Sequence, residues 1–423
     1  MALTIGTRAT IGLAAGLAAG TAIAATAHAT LLAAGSAVEV VGRLWINAIL
    51  MTIVPLVVSK LVASIAGQDD PRVFGRAGLR AAALFIALLV VAAIISAAVI
   101  PFAFRFMPVT SAALAPPGTA AAQAGGAAPP TLLQSVLGIV PSNAIRSAAD
   151  GAIVPLLVFS VAFALGASRI PRTLRDPLVT LFRSIDAAIT VLLHWIVALA
   201  PYGVFALGLG LAMRAGGGVV AALAYYVIVS SVTLVLFTAA LYGVVFLLAG
   251  VSPAQFARAA APAQVVAFGT HSSMASLPAM IEGAEARLKL SGTAVGFVLP
   301  LSLALFKYSG PIWFITVAHF VGRLYGVPID PARTVPIVLA SVMTSFAIGG
   351  VPSGAAVVAA PVLAAAGLPV EAMGVVLAVD PIPNAFRTVA NVTGMLAVTA
   401  ASDRRPDPAT CPSPPSSRPG PTG

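Results

Sequence analysis

Between Thr10 and Leu248 the chain passes through six apolar runs: Thr10–Ala34, Val38–Ala66, Ala77–Phe104, Ile153–Ala167, Leu178–Met213 and Val219–Leu248. Most reach or exceed the roughly 20 residues a helix needs to cross a hydrocarbon core. A soluble fold has no surface on which to place so much apolar side chain. Hydrophobic residues make up 59% of the sequence and charged residues 9%, where soluble domains carry about 25% charge. These features predict an all-α integral membrane protein.

The formal net charge is +10. It does not indicate nucleic-acid binding, because Lys and Arg fall in short clusters between apolar runs rather than on one basic face. Such clusters report topology. Arg72, Arg76 and Arg80 separate runs two and three, and Arg169, Arg172 and Arg175 separate four and five. Arg258, Arg287 and Lys289 follow run six, and Arg404 and Arg405 follow the last span. Alternate loops therefore carry the charge, which predicts a multi-pass protein of the inner (plasma) membrane with both termini cytoplasmic. Arg8 and the small-residue run Ala25-Thr26-Ala27-His28-Ala29 imitate a cleavable secretory signal. The apolar stretch is longer than a signal core and many spans follow it, so it reads as the first membrane helix. The single cysteine, Cys411, excludes a disulfide within the chain and a cysteine metal site.

Met107–Pro130 is rich in Pro, Gly and Ala and predicts a loop. Three regions follow: 1–250 with six membrane helices, 251–400 as a separate core, and 401–423 as a tail whose Pro, Ser and Arg predict disorder.

After residue 250 the pattern changes. Pro253–Phe268 and Met274–Ala284 flank Gly269-Thr270-His271-Ser272-Ser273, and Val335–Phe346 and Ala355–Ala366 flank the segment 348–354. Each half makes roughly 17–24 Å of helix, too short for a core of roughly 30 Å. The pairs therefore read as re-entrant hairpins, each followed by one full span, Gly292–Tyr325 and Val370–Ala400. Two interrupted pairs in corresponding positions are the sequence sign of inverted repeats with a substrate site between the tips.

In the last span Asp380, Asn384, Arg387 and Asn391 recur at helical spacing, with Thr388 beside them. A charge at mid-membrane costs roughly 3 kcal/mol on insertion scales, so this stripe needs polar partners. Arg387 can receive a carboxylate in a bidentate fork, with Asn391 and Thr388 adding neutral hydrogen bonds. The alternative is an Asp380–Arg387 ion pair that only locks helices together.

Val379-Asp380, then Arg387-Thr388 and Asn391-Val392-Thr393-Gly394, resemble the final-helix signature of the dicarboxylate/amino acid:cation symporter family, the glutamate transporter relatives. Met51-Thr52-Ile53-Val54-Pro55-Leu56 and Ala200-Pro201-Tyr202-Gly203-Val204-Phe205 resemble its second- and fifth-helix motifs. Ser272-Ser273-Met274-Ala275-Ser276-Leu277-Pro278 and Gly349-Gly350-Val351-Pro352-Ser353-Gly354 resemble its two hairpin tips. The resemblance implies a homotrimer of protomers with eight transmembrane helices and two re-entrant hairpins. In each, spans three, six, seven and eight with both hairpins would move against a static scaffold. It also implies that Arg387 takes the distal carboxylate and Asn391 the main one. The Ser272-Ser273 backbone and the Val351-Pro352-Ser353 tip would close over the substrate.

The departures from that pattern carry information. Asn384 stands where the family usually places an aspartate for the substrate amino group, which favours a dicarboxylate over aspartate or glutamate. The seventh span lacks the usual Asn-Met-Asp-Gly-Thr run and reads Phe306-Lys307-Tyr308-Ser309-Gly310 instead. The usual sodium-ligating aspartate of the last span falls at Met395. Hard cations need oxygen ligands, so protons rather than sodium are the expected coupling ion, and no cofactor is implied. Lys307 would then stand in for a bound cation, balancing substrate charge and exchanging a proton, or else pair with Asp380 or snorkel. His271, at the first hairpin tip, titrates near physiological pH when unperturbed. With Ser272 or Ser273 it also suggests a membrane hydrolase, although no third orienting group is evident. An anion channel is the remaining class. His28, His194 and His319 read as structural.

Overall fold

The computed structural model describes residues 5–26, 28–67, 76–108, 140–150, 153–215, 218–292, 294–346 and 359–403. These are helical, with no strand among the described residues. Most of the loop expected at 107–130, the tip at 349–354 and the tail beyond Asp403 lie outside them.

The first half forms α1 (Ile5–Thr26), α2 (Ala29–Ala66), α3 (Arg76–Phe104), the short α4 (Ala144–Ala149), α5 (Ile153–Ala167), α6 (Arg172–Ala198), α7 (Ala200–Ala215) and α8 (Gly218–Ala249). The first helix does not run to Ala34, because His28 is extended and α2 starts at Ala29. The long fifth span expected over Leu178–Met213 is two helices. Pro201 has no N–H to offer the Val197 carbonyl, and the Leu199 N–H turns back to Ile196 and Val197 instead. The Trp45 indole N–H donates to the Ile196 carbonyl beside this break at 2.9 Å. Gly203 leaves room for that indole, since a Cβ there would lie 2.3 Å from the ring.

Lipid offers no hydrophobic drive for helix association, so close backbone approach must supply it. Gly12, Gly16 and Gly20 provide this approach. A Cβ on each would lie 2.4, 2.3 and 2.4 Å from the carbonyl oxygens of Pro201, Phe205 and Leu209. Thus α1 and α7 run parallel in backbone contact. Across α2, the buried Glu39 binds Arg43 at 3.0 Å and Arg214 at 2.6 Å.

The second half begins with α9 (Pro253–Thr270) and α10 (Leu277–Glu282), the latter continuing as a π-helical turn to Arg287. Ser252 caps α9 by accepting from the Gln255 N–H, and His271, with φ of 55°, ends it in the left-handed region. The two arms lie antiparallel. Gly283 sits on the Ala259 carbonyl, and Arg287 donates to the Arg258 carbonyl at 2.9 Å. This segment therefore returns to where it starts.

A π-helical turn at Ala294–Val298 leads into α11 (Leu299–Leu305) and α12 (Ser309–Leu324). Then come α13 (Pro331–Ser345), α14 (Ala360–Ala365), a 3₁₀ turn at Val370–Ala372, α15 (Met373–Val379) and α16 (Pro381–Ser402). The seventh and last apolar stretches are therefore each broken, at 306–308 and at Asp380. Pro311 cannot donate to the Lys307 carbonyl, which takes the Gly310 N–H instead. Pro381 and Pro383 similarly force a new start after Asp380. Arg333 reaches the Ala366 carbonyl at 3.5 Å, so the ends of α13 and α14 also meet.

Four single helices are long and apolar enough to cross a bilayer among the described residues: Ala29–Ala63, Leu79–Phe104, Arg172–Ala198 and Val220–Ala249. Helices α12 and α16 form the centre. Every α12 residue except Arg323 is buried. One apolar body, with Trp313, Phe320 and Tyr226, joins α12 to α1, α2 and α7. A second, with Phe256, Phe306 and Met395, joins α16 to α3, α8 and α9. Helix α15 meets α7 at Gly374, whose hydrogen faces Leu207 with room for no side chain.

Candidate functional site

The polar stripe of α16 points inward. Arg387 is 2% exposed and Asp380 3% exposed. One terminal nitrogen of Arg387 donates to Asp380 Oδ2 at 2.7 Å and to Asn384 Oδ1 at 2.9 Å. These two groups sit one and two turns before Arg387, so a single helix builds the anchor. The guanidinium lies over the ring of Trp313, with its carbon 3.9 Å from the centroid. The Trp313 indole N–H donates to the Tyr226 hydroxyl at 2.9 Å. One edge of Arg387 is thereby fixed and one face covered. Its Nε and Nη1 have no hydrogen-bond partner among the described residues, and neither has Asp380 Oδ1. An unpaired buried donor is costly, and a carboxylate oxygen would satisfy either of these two with a charge-assisted hydrogen bond.

Asn391 and Thr388 complete the stripe. Asn391 Oδ1 accepts from the Ser309 backbone N–H at 2.9 Å, which ties α16 to the first residue of α12. Thr388 donates to the Asn384 carbonyl at 2.8 Å.

Helix α9 runs antiparallel along α16. Gln264 donates to Thr393 at 2.8 Å and to Tyr242 at 3.0 Å. One turn on, Phe268 meets Phe386 edge to face, with centroids 5.4 Å apart. This direction carries the α9 end, and with it His271, toward the stripe. The tip is a tight polar turn. Ser272 Oγ accepts from the Ala275 N–H, and the Ser276 hydroxyl donates to the Ser272 carbonyl. Ser273 is half-buried beside it. Val351, Pro352 and Ser353 lie outside the described residues.

Lys307 occupies the break between α11 and α12. It is 3% exposed, and its ammonium donates to the Leu303 carbonyl at 2.9 Å. It forms no ion pair with Asp380, the alternative drawn from sequence; its ammonium turns to Leu303, and Arg387 holds that carboxylate. Among the described residues there is no cluster of three or more His, Cys, Asp or Glu able to hold a metal ion.

Sequence reasoning did not single out Trp313, Tyr226 or the Gln264–Thr393–Tyr242 link. A tryptophan within an apolar span was the available signal for the first. The others are tertiary contacts with no spacing to mark them.

A sequence profile described as the sodium:dicarboxylate symporter family matches residues 5–405. The proton/glutamate-aspartate symporter of Escherichia coli (strain K12) is 31% identical over 360 residues, 84% of this chain and 82% of that protein. The proton/sodium-glutamate symport protein of Bacillus subtilis (strain 168) is 28% identical over 84% of this chain and 82% of its own length. C4-dicarboxylate transport protein 3 of Ralstonia nicotianae is 27% identical over 88% of this chain and 83% of its own length.

Proposed function

Because the chain belongs to the sodium:dicarboxylate symporter family, whose members are transporters and not enzymes, we propose that it carries a small dicarboxylate by alternating access, coupled to protons rather than sodium. The plasma membrane is the site of this transport, and the hydrolase reading of His271 with Ser272 or Ser273 falls away.

The observation that carries the substrate reading is the pair of unfilled donors on Arg387, whose guanidinium is buried and held in place by Asp380, Asn384 and Trp313. A carboxylate oxygen would satisfy either donor. Thr388 follows Arg387 directly and Asn391 lies one turn further along the same helix, where a second carboxylate would sit. The Ser272-Ser273 tip and the 351–353 segment would close over it. The competing substrate is an acidic amino acid, as the name of the Escherichia coli relative has it. Asn384 favours the dicarboxylate, since a neutral amide already accepting from Arg387 is a poor partner for an ammonium group.

The family resemblance further supports a homotrimer with cytoplasmic termini. In each protomer α3, α8 and the helices from α9 onward would move against α1, α2 and α5–α7. A channel would differ in passing current without saturable exchange.

The test is uptake of labelled succinate and labelled aspartate into proteoliposomes under an imposed pH gradient, with choline or sodium as the bulk cation. Saturable succinate uptake that follows the pH gradient and ignores sodium is expected. A preference for aspartate, or a strict sodium requirement, overturns the respective half of the reading.

A further inference from the structure

The break at 306–308 leaves α11 ending inside the protein. The last carbonyls of a helix lack N–H partners and carry the negative end of its dipole. Interrupted membrane helices use such carbonyl ends to hold monovalent cations. Here the Phe306 backbone is extended, and the carbonyl of Leu303, in the last turn of α11, accepts from the Lys307 ammonium. The chain has placed its own cation on the carbonyl end of its own half-helix.

The surroundings offer this ammonium no counter-charge. Phe306 stacks on Phe85 of α3, with centroids 4.9 Å apart. Phe306 and Tyr308 also close on Gly394, where a Cβ would lie 3.1 and 2.9 Å from them. The Tyr308 hydroxyl turns away to the Phe237 carbonyl of α8, and Met395 of α16 is fully buried nearby. Arg387 is the charged group on α16, and Asp380, just before the helix, neutralises it. Helix α3 contributes Arg80, of the same sign as Lys307, and α8 contributes the phenols Tyr226 and Tyr242. Among the described residues Lys307 forms no ion pair. Two residues on, Ser309 is bonded to Asn391, one turn from Arg387. The segment carrying the uncompensated charge therefore abuts the helix on which an anion would land.

Resting on the reading of the chain as a dicarboxylate carrier, we propose that the α11 carbonyl end is a monovalent-cation site permanently filled by the Lys307 ammonium, which serves as the counter-ion of the bound substrate. A tethered cation cannot dissociate, so substrate binding needs no sodium.

The experiment is titration of succinate into purified protein by calorimetry, in choline, sodium or methylammonium chloride. The intact protein is expected to bind equally in all three. Lys307→Met fills the volume without charge and should weaken binding at least 30-fold in every salt. Lys307→Ala opens the carbonyl end, and its affinity should fall in choline and recover at least tenfold in sodium or methylammonium. A Met variant that binds as tightly as the intact protein overturns the inference, as does an Ala variant that neither cation rescues. Should the Ala variant melt below the assay temperature, the Met variant decides alone. Failure of the intact protein to bind succinate would count against the transport reading itself, and is thereby told apart.

Discussion

The guanidinium carbon of Arg387 sits 3.9 Å from the centroid of the Trp313 ring, so a residue of α12 sets the plane in which a residue of α16 presents its donors. A desolvated cation–π contact is worth about 2 kcal/mol, which corresponds to roughly 30-fold in affinity. Trp313→Leu should raise the KM for succinate by about that factor, and Trp313→Phe should fall between. Initial rates of uptake against substrate concentration read this directly, and an unchanged KM in the Leu variant removes Trp313 from the site.

Asp380 and Arg387 share a buried ion pair. Removing one partner strands the other charge and costs about 3–5 kcal/mol. Arg387→Met should therefore lower the melting temperature and abolish uptake. Adding Asp380→Asn should restore the melting temperature but not the uptake. Thermal melts of the single and double variants, each beside an uptake assay, separate folding from binding.

Asn384 sets the charge available to a substrate amino group. Asn384→Asp adds a carboxylate within reach of the same Arg387 nitrogen. In competition assays it should shift preference from succinate toward aspartate by about tenfold or more, since specificity follows the difference in the two affinities. An unchanged preference would show that this position does not read the amino group.

Asn391 holds the Ser309 N–H. Asn391→Ala leaves a buried donor without its partner, a cost of about 1–3 kcal/mol. Both the melting temperature and succinate affinity should drop. A loss of affinity with an unchanged melt would instead mark Asn391 as a pure substrate contact.

Helix limits were legible wherever hydropathy changed sharply. The run Ile153–Ala167 matches α5 at both ends, and Ala77–Phe104 and Val219–Leu248 each miss only a residue or so. The interruptions at Leu199, at 306–308 and at Asp380 were not read, because hydropathy averages over a break whose flanks stay apolar. Prolines stand just beyond each of these breaks, yet Pro55, Pro101 and Pro262 lie inside continuous helices, so proline alone did not decide. Within the site, the Asp380, Asn384 and Arg387 contacts followed from spacing along one helix. Trp313 over Arg387, and Lys307 turned back onto Leu303, depend on how separate segments meet, which no local pattern encodes. The glycines at 12, 16 and 20 recur every fourth residue, yet they were not singled out, and nothing local marks their partner on α7.

The contact of Gly374 with Leu207 has a mechanical consequence. Here the Leu207 side chain fills the notch that the glycine leaves, with Ile46 beside it. The leucine is thereby keyed into α15, and any displacement of α15 along α7 would first have to draw it out. Gly374→Val would expel that key and part the two helices: succinate should still bind, while net flux through the membrane stalls.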